Sequence, residues 1–195
     1  MKILFLSLLS VAALSTEALS QAPAAVGPGS VKITKVEIAG VKTPEYTIVG
    51  GPQKRSKTGT WLEIEVAFET KVEDIDELTF NYAVLIDKSL VDGSVTHVAI
   101  PKGTEHYSVM YISPRGLEKL VNGKTFTAAA IGNAWITVSR QGQILDGPQA
   151  NPKAAYKPTA MPNLPHVAGV LLNKNDTPFA PLFYDRYEEV KPPVR

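Results

Sequence analysis

Three histidines, His97, His106 and His166, are the side chains best suited to hold a metal ion. If the residues around Pro101-Lys102-Gly103-Thr104 form an even-length hairpin, His97 and His106 become diagonal cross-strand neighbours about 7 Å apart. A tetrahedral site needs a third ligand, and none is placed beside them. They read as ordinary strand histidines, and no metal is expected. Glu73, Asp74, Asp76 and Glu77 form an acidic turn carrying an Asp-x-Asp. It lacks the remaining oxygen ligands and the glycine of a calcium loop, so it reads as solvated. Glu63 and Glu65 fall on one strand face, roughly 7 Å apart by the strand rise. That spacing lies within the range of glycosidase carboxylates, but alternating glutamates are also what the wet face of a strand looks like. Gly-x-Ser-x-Gly, Ser-x-x-Lys and a phosphate-cradling glycine loop are all missing. The chain has no cysteine, which removes thiolate nucleophiles and thiolate metal sites. No catalytic residue, metal or cofactor is predicted, and the reading is of a protein that is not an enzyme.

The aromatic residues suggest binding. Trp61 falls in the phase of Glu63 and Glu65, on the face expected to be wet. An exposed tryptophan there is a stacking platform of the kind carbohydrate-binding modules use. Trp135 lies in a strand whose facing the pattern does not decide. Near the end, residues 175–187 (NDTPFAPLFYDRY) carry Phe179, Phe183, Tyr184 and Tyr187, too apolar a set for a solvated tail. The candidate binding surface is therefore Trp61, Phe179, Phe183, Tyr184 and Tyr187.

These residues are set out on a strand framework. Residues 62–69 alternate Leu62, Ile64, Val66 and Phe68 with glutamates, a half-buried strand. Residues 76–86 repeat the pattern with Leu78, Phe80, Tyr82, Val84 and Ile86. Apolar positions 31 and 33 give way to 36 and 38, a phase switch that predicts a strand with a bulge. Further strands are expected over 45–49, 95–100, 106–112, 125–131, 134–140 and 143–145, with one helical turn over 114–121. Gln141-Gly142 supplies a tight turn, because glycine accepts positive φ. Short strands separated by turn residues, with no long helix, predict an all-β, immunoglobulin-like antiparallel sandwich over 31–147 without its Cys–Trp–Cys core. From 148 onward Pro148, Pro152, Pro158, Pro162 and Pro165 exclude regular helix and interior strand. Residues 148–195 read as a proline-rich extension that packs back on the domain, with one strand over 167–172.

The chain opens with Lys2, an apolar run over 3–14 and small residues at Ala18 and Ser20, a secretory signal cleaved between Ser20 and Gln21. Residues 1–20 are the signal and 21–30 (QAPAAVGPGS) a flexible linker. The run is too short to span a membrane, which takes about 20 apolar residues. Its cleavage site follows the hydrophobic stretch, unlike that of a pilin, and no lipobox cysteine is present. A secreted or periplasmic product, with no transmembrane segment after cleavage, is expected. Hydrophobic content of 44% and charged content of 20% suit a globular domain. A net charge of +1 argues against nucleic acid as a partner. The basic cluster Lys54, Arg55 and Lys57 sits between glycines and reads as a solvated loop.

Residues 79–86 (TFNYAVLI) and 177–187 (TPFAPLFYDRY), together with the order of segments, resemble small secreted immunoglobulin-like proteins of Akkermansia-type Verrucomicrobia encoded near type IV pilus genes. The resemblance implies a pilus-associated or cell-surface protein with no established reaction. The sequence therefore points to an extracytoplasmic interaction protein whose partners are envelope or pilus proteins, contacted through an exposed sheet edge and the aromatic C-terminal segment. The alternative is a carbohydrate-binding module that takes a glycan at Trp61.

Overall fold

The structure, a computed structural model, describes residues 26–47, 49–51, 57–72, 74–151 and 163–192. The signal with its Ser20–Gln21 cleavage site, half of the 21–30 linker, and Lys54, Arg55, Glu73, Pro152, Pro158 and Pro162 lie outside those residues.

Among the described residues, nine strands and one short α-helix follow in chain order: β1 (Val31–Lys42), β2 (Thr60–Thr70), β3 (Ile75–Ile86), β4 (Ser89–Ile100), β5 (Gly103–Ile112), α1 (Pro114–Leu120), β6 (Ile131–Arg140), β7 (Gln143–Asn151), β8 (His166–Ala168) and β9 (Leu171–Asn173). They form a two-sheet sandwich, ordered β1-β2-β5-β9 in one sheet and β7-β6-β3-β4-β8 in the other. The first seven strands follow immunoglobulin order, with β4 carried beside β3 as in variable-type domains. In place of an inter-sheet disulfide, Ile64 and Val66 of β2 share one apolar core with Ile136 and Val138 of β6. Phe68, Phe80, Leu78, Val84 and Ile86 complete its centre, all fully buried. At roughly 1.5–3 kcal/mol for each large side chain buried, this packing carries the fold.

Local sequence explains most of the strands. The phase switch in β1 is a bulge, with register shifting between Ile33 and Lys35, so Val36 and Ile38 return to the core side. Gln141 and Gly142 both have positive φ (49° and 82°) and join β6 to β7. Ser113 caps α1, its side chain accepting from the Gly116 N–H, and a proline occupies the first turn.

Four expectations change. Residues 45–47 form no strand. Residues 125–130 do not either: Ala128–Ala130 is a 3-10 turn, and the strand starts at Ile131. The chain there is still crossing from α1 toward β6, and the Ala130 carbonyl is held by the Asp87 N–H. Residues 167–172 give two strands instead of one. Gly169, at φ 74°, breaks the run so that β8 joins β4 and β9 joins β5, each in a different sheet. Most consequential, the turn after Ile100 is not a hairpin. It carries the chain from the five-stranded sheet to the four-stranded one, placing His97 and His106 in facing sheets.

Both long sides of the sandwich are closed. Along the β4–β5 side, Glu188 N–H donates to the Tyr107 carbonyl of β5 at 3.1 Å. Farther along, the Glu189 carbonyl accepts from the Val98 N–H of β4, and Lys191 N–H donates to the Thr96 carbonyl. Along the β1–β7 side, the Ile33 N–H donates to the Asp146 carboxylate (2.7 Å) and the Asn151 amide to the Val36 carbonyl (2.6 Å). The sheet edges expected to be open to an incoming strand are thus occupied at these positions by the chain itself.

Candidate functional site

Residues 174–191 run as a strap across the outer face of the four-stranded sheet. Beneath it, β2 presents Trp61, Glu63 and Glu65, in the phase opposite to Leu62, Ile64 and Val66, as the alternation predicts. Trp61 is nevertheless only 8% exposed. Phe179 descends from the strap and stacks on Tyr111 of β5, ring centres 4.6 Å apart and planes 6° apart. It also meets Trp61 edge-on at 5.6 Å. Trp61, Phe179, Val109 and Tyr111 form a second small core, with Leu182 and Tyr187 against it. Trp61 and Phe179 are therefore buried by one another, which corrects the expectation of an exposed Trp61 platform. The cause is a segment more than a hundred residues later in the chain, beyond the reach of strand periodicity.

Glu65 anchors the strap. Arg186 grips both Glu65 oxygens (2.7 and 3.1 Å), and the Tyr187 hydroxyl donates to Glu65 at 2.7 Å. Burial alone would raise the Glu65 carboxyl, but the hydrogen bonds from Arg186 and Tyr187 outweigh it and hold it low. Glu63 accepts from Tyr111 at 2.9 Å, and burial pushes its carboxyl up. The Arg186 guanidinium also lies 3.7 Å over the Tyr107 ring. Two carboxylates with divergent protonation could suggest acid–base work. Both, however, already have partners within the protein, Glu65 in Arg186 and Tyr187 of the strap and Glu63 in Tyr111 of β5. Replacing Glu65 by Ala is expected to speed tryptic cleavage after Arg186 at least tenfold under native conditions, read by mass spectrometry, because the bidentate clamp is lost. An unchanged cleavage rate would show that the clamp adds nothing.

The histidines do related work. His97 sits in the core with Nε2 2.8 Å from Ser108 Oγ, and the Tyr82 hydroxyl lies 2.8 Å from the same oxygen. His97 Nδ1 is 3.0 Å from the Glu188 carbonyl, which can only accept, so the ring donates there and accepts from Ser108. Tyr82 in turn donates to Ser108. Burial lowers the His97 pKa to about 4, against hydrogen bonds to strap carbonyls that favour the charged ring. Across the seam, His106 Nδ1 lies 2.8 Å from the Glu188 carboxylate. One strap residue is thus held by two histidines from facing sheets, and sequence spacing gives no sign of it. Although Ser108 lies beside a histidine, it is fully buried and has no path to a substrate. His166 pairs with Asp92 at the surface. In the acidic turn Asp76 is paired with Arg140 and Glu77 with Lys191; no cluster of three metal-binding side chains occurs among the described residues.

Of the five aromatic residues in the candidate surface, two remain exposed. Phe183 is 62% and Tyr184 81% exposed, at the outermost bend of the strap, while Tyr187 is half-buried. Phe183 holds φ at 50°, a left-handed conformation that an aromatic residue seldom adopts. The bend is closed by the Arg186 N–H donating to the Phe183 carbonyl. No helix among the described residues is long and apolar enough to cross a membrane.

A protein-family model matches residues 22–194. A crystal structure of a protein from Akkermansia muciniphila is similar at a TM-score of 0.71 and 22% identity, over 84% of this chain and 94% of that one. At that identity the likeness is one of fold, and it agrees with the resemblance carried by residues 79–86 and 177–187. No curated protein matches the sequence.

Proposed function

The chain belongs to the family whose model spans residues 22–194, and we propose that it is a non-enzymatic interaction protein acting outside the cytoplasm. On this reading it docks onto envelope or pilus components through the Phe183–Tyr184 bend. The observation that carries it is the pairing of strain with exposure. A left-handed backbone at a bulky residue costs on the order of 1–3 kcal/mol, and here it turns an aromatic ring outward. Adjacent exposed aromatic rings on a rigidly clamped support have the form of a binding hot spot. With the sheet edges occupied at several positions by the chain itself, strand addition is the weaker route to a partner. The secretory signal at residues 1–20 supports a secreted or periplasmic site of action.

The reading is tested by affinity capture from envelope fractions with the mature protein and with a Phe183→Ser/Tyr184→Ser variant. A specific envelope or pilus partner is expected with the first and at least a tenfold loss with the second, at unchanged melting temperature. Equal capture by the two proteins, or none by either, would reject the bend as the contact.

A further inference from the structure

A cleft of about 760 Å3 opens where Pro178 of the strap, Thr43, Pro44 and Tyr46 after β1, Lys57 and Thr58 before β2, and the start of α1 meet. It lies beside Trp61, its lining includes neither Phe183 nor Tyr184, and it is independent of the reading given to that bend. Its size falls in the range of small-ligand sites.

Two rings are fixed in its wall. The Trp61 Nε1–H donates to Thr43 Oγ1 at 3.1 Å, and the Tyr46 hydroxyl donates to the Pro178 carbonyl at 2.5 Å. Tyr46 stays about half exposed. Lys57 and Arg115 also line the cleft, both exposed, and neither makes a hydrogen bond or ion pair among the described residues. This contrasts with Lys174, Arg140, Arg186 and Lys191, each of which has a partner. Among the described residues of the lining, Glu118 is the one carboxylate, against two cations, which leaves an excess positive charge.

Some backbone groups in this wall are already bonded to one another. Thr43 N–H donates to the Gly59 carbonyl, and Gly59 N–H to Thr43 Oγ1. Ring surface, side-chain hydroxyls such as that of Thr58, and two cations remain to meet a ligand. An extended peptide needs a row of backbone partners along a strand edge, and this cleft is lined by no named strand edge but by loop and helix-start residues with Trp61. A sugar acid needs a ring to lie against, hydroxyl partners and a cation for its anionic group.

We propose that this cleft binds an acidic carbohydrate, a uronate or sulfated saccharide, with Lys57 and Arg115 engaging its anionic group and the half-exposed Tyr46 ring supporting its sugar ring. The carbohydrate expectation attached to Trp61 thereby moves from an open stacking face to a charged cleft.

Isothermal titration of the mature protein with hyaluronan and chondroitin sulfate tetrasaccharides, neutral cellotetraose and a hexaglutamate peptide tests this. At least one acidic tetrasaccharide is expected to bind, with the neutral sugar and the peptide at least tenfold weaker. Lys57→Ala/Arg115→Ala and Tyr46→Ala are each expected to lower that affinity tenfold or more. All three positions are at the surface, so the melting temperature should hold. Equal binding of cellotetraose, preference for the peptide, no binding of either acidic sugar, or full affinity in the variants would each overturn the proposal.

Discussion

Replacing Phe179 by Ala is expected to release the strap from the sheet and to cost about 3–5 kcal/mol in its docking, the range for truncating a buried aromatic. The ring is 6% exposed and contacts both Trp61 and Tyr111. Its removal takes away both the packing and the aromatic pair geometry. The damage stays local, because the main core of Phe68, Phe80, Ile64 and their neighbours lies on the other side of the sheet. The variant should keep its strand signature in far-ultraviolet circular dichroism. Trp61 emission should shift to the red, and amide exchange at residues 186–191 should accelerate at least a hundredfold. If emission and exchange both match the native protein, Phe179 does not pin the strap.

The second large effect is a loss of stability in acid, centred on His97. Burial lowers its folded pKa from 6.5 to about 4. Between those values the unfolded chain binds a proton that the folded chain refuses, so unfolding gains as pH falls. The contribution is fully present above about pH 6.5 and is lost progressively down to about pH 4. At 1.36 kcal/mol per pKa unit this amounts to about 3 kcal/mol. Around the ring, Phe80, Tyr82 and Ser108 offer no charge, and the Glu188 carboxylate turns away to His106. Glu65, held low by Arg186 and Tyr187, adds its own loss only below its ordinary value of 4.5. Urea unfolding at half-unit steps from pH 7.5 to 4 should show this slope. His97→Gln, which keeps one donor and one acceptor but cannot titrate, should flatten it. A native slope that is flat, or one that survives in the Gln variant, assigns acid sensitivity to other groups.

Much of the sandwich is legible because a strand writes its facing into every second residue. The alternation in 62–69 places Leu62, Ile64, Val66 and Phe68 inside, and the slip from 33 to 36 marks the β1 bulge. Period-two patterning says which face is buried against something, but not which sheet a strand joins. The Pro101–Thr104 turn therefore reads as a hairpin although it crosses between sheets, which pairs His97 with His106 on the wrong geometry. Trp61 shows the same limit. Its phase is legible, yet the wet face of one strand becomes the floor of a second core once Phe179 arrives. The aromatic content of 175–187 is the clue that this segment docks. Which of its rings turn inward depends on the Phe183 backbone, and no local pattern encodes that.

The seam closed by Glu188, Glu189 and Lys191 bears on how the chain reaches its final state. The His97–Glu188 hydrogen bond joins residues 91 positions apart. The β3–β4 and β6–β7 hairpins, joined by turns of a few residues, can zip early, because short loops are cheap to close. Until residues 188–191 settle, β4 and β5 carry bare amides and carbonyls along one flank, a template for pairing with a neighbouring chain. Crowding of copies in which that seam is still open is then the hazardous interval in this protein's life, because the residue that closes it lies 91 positions along the chain from the strand it covers.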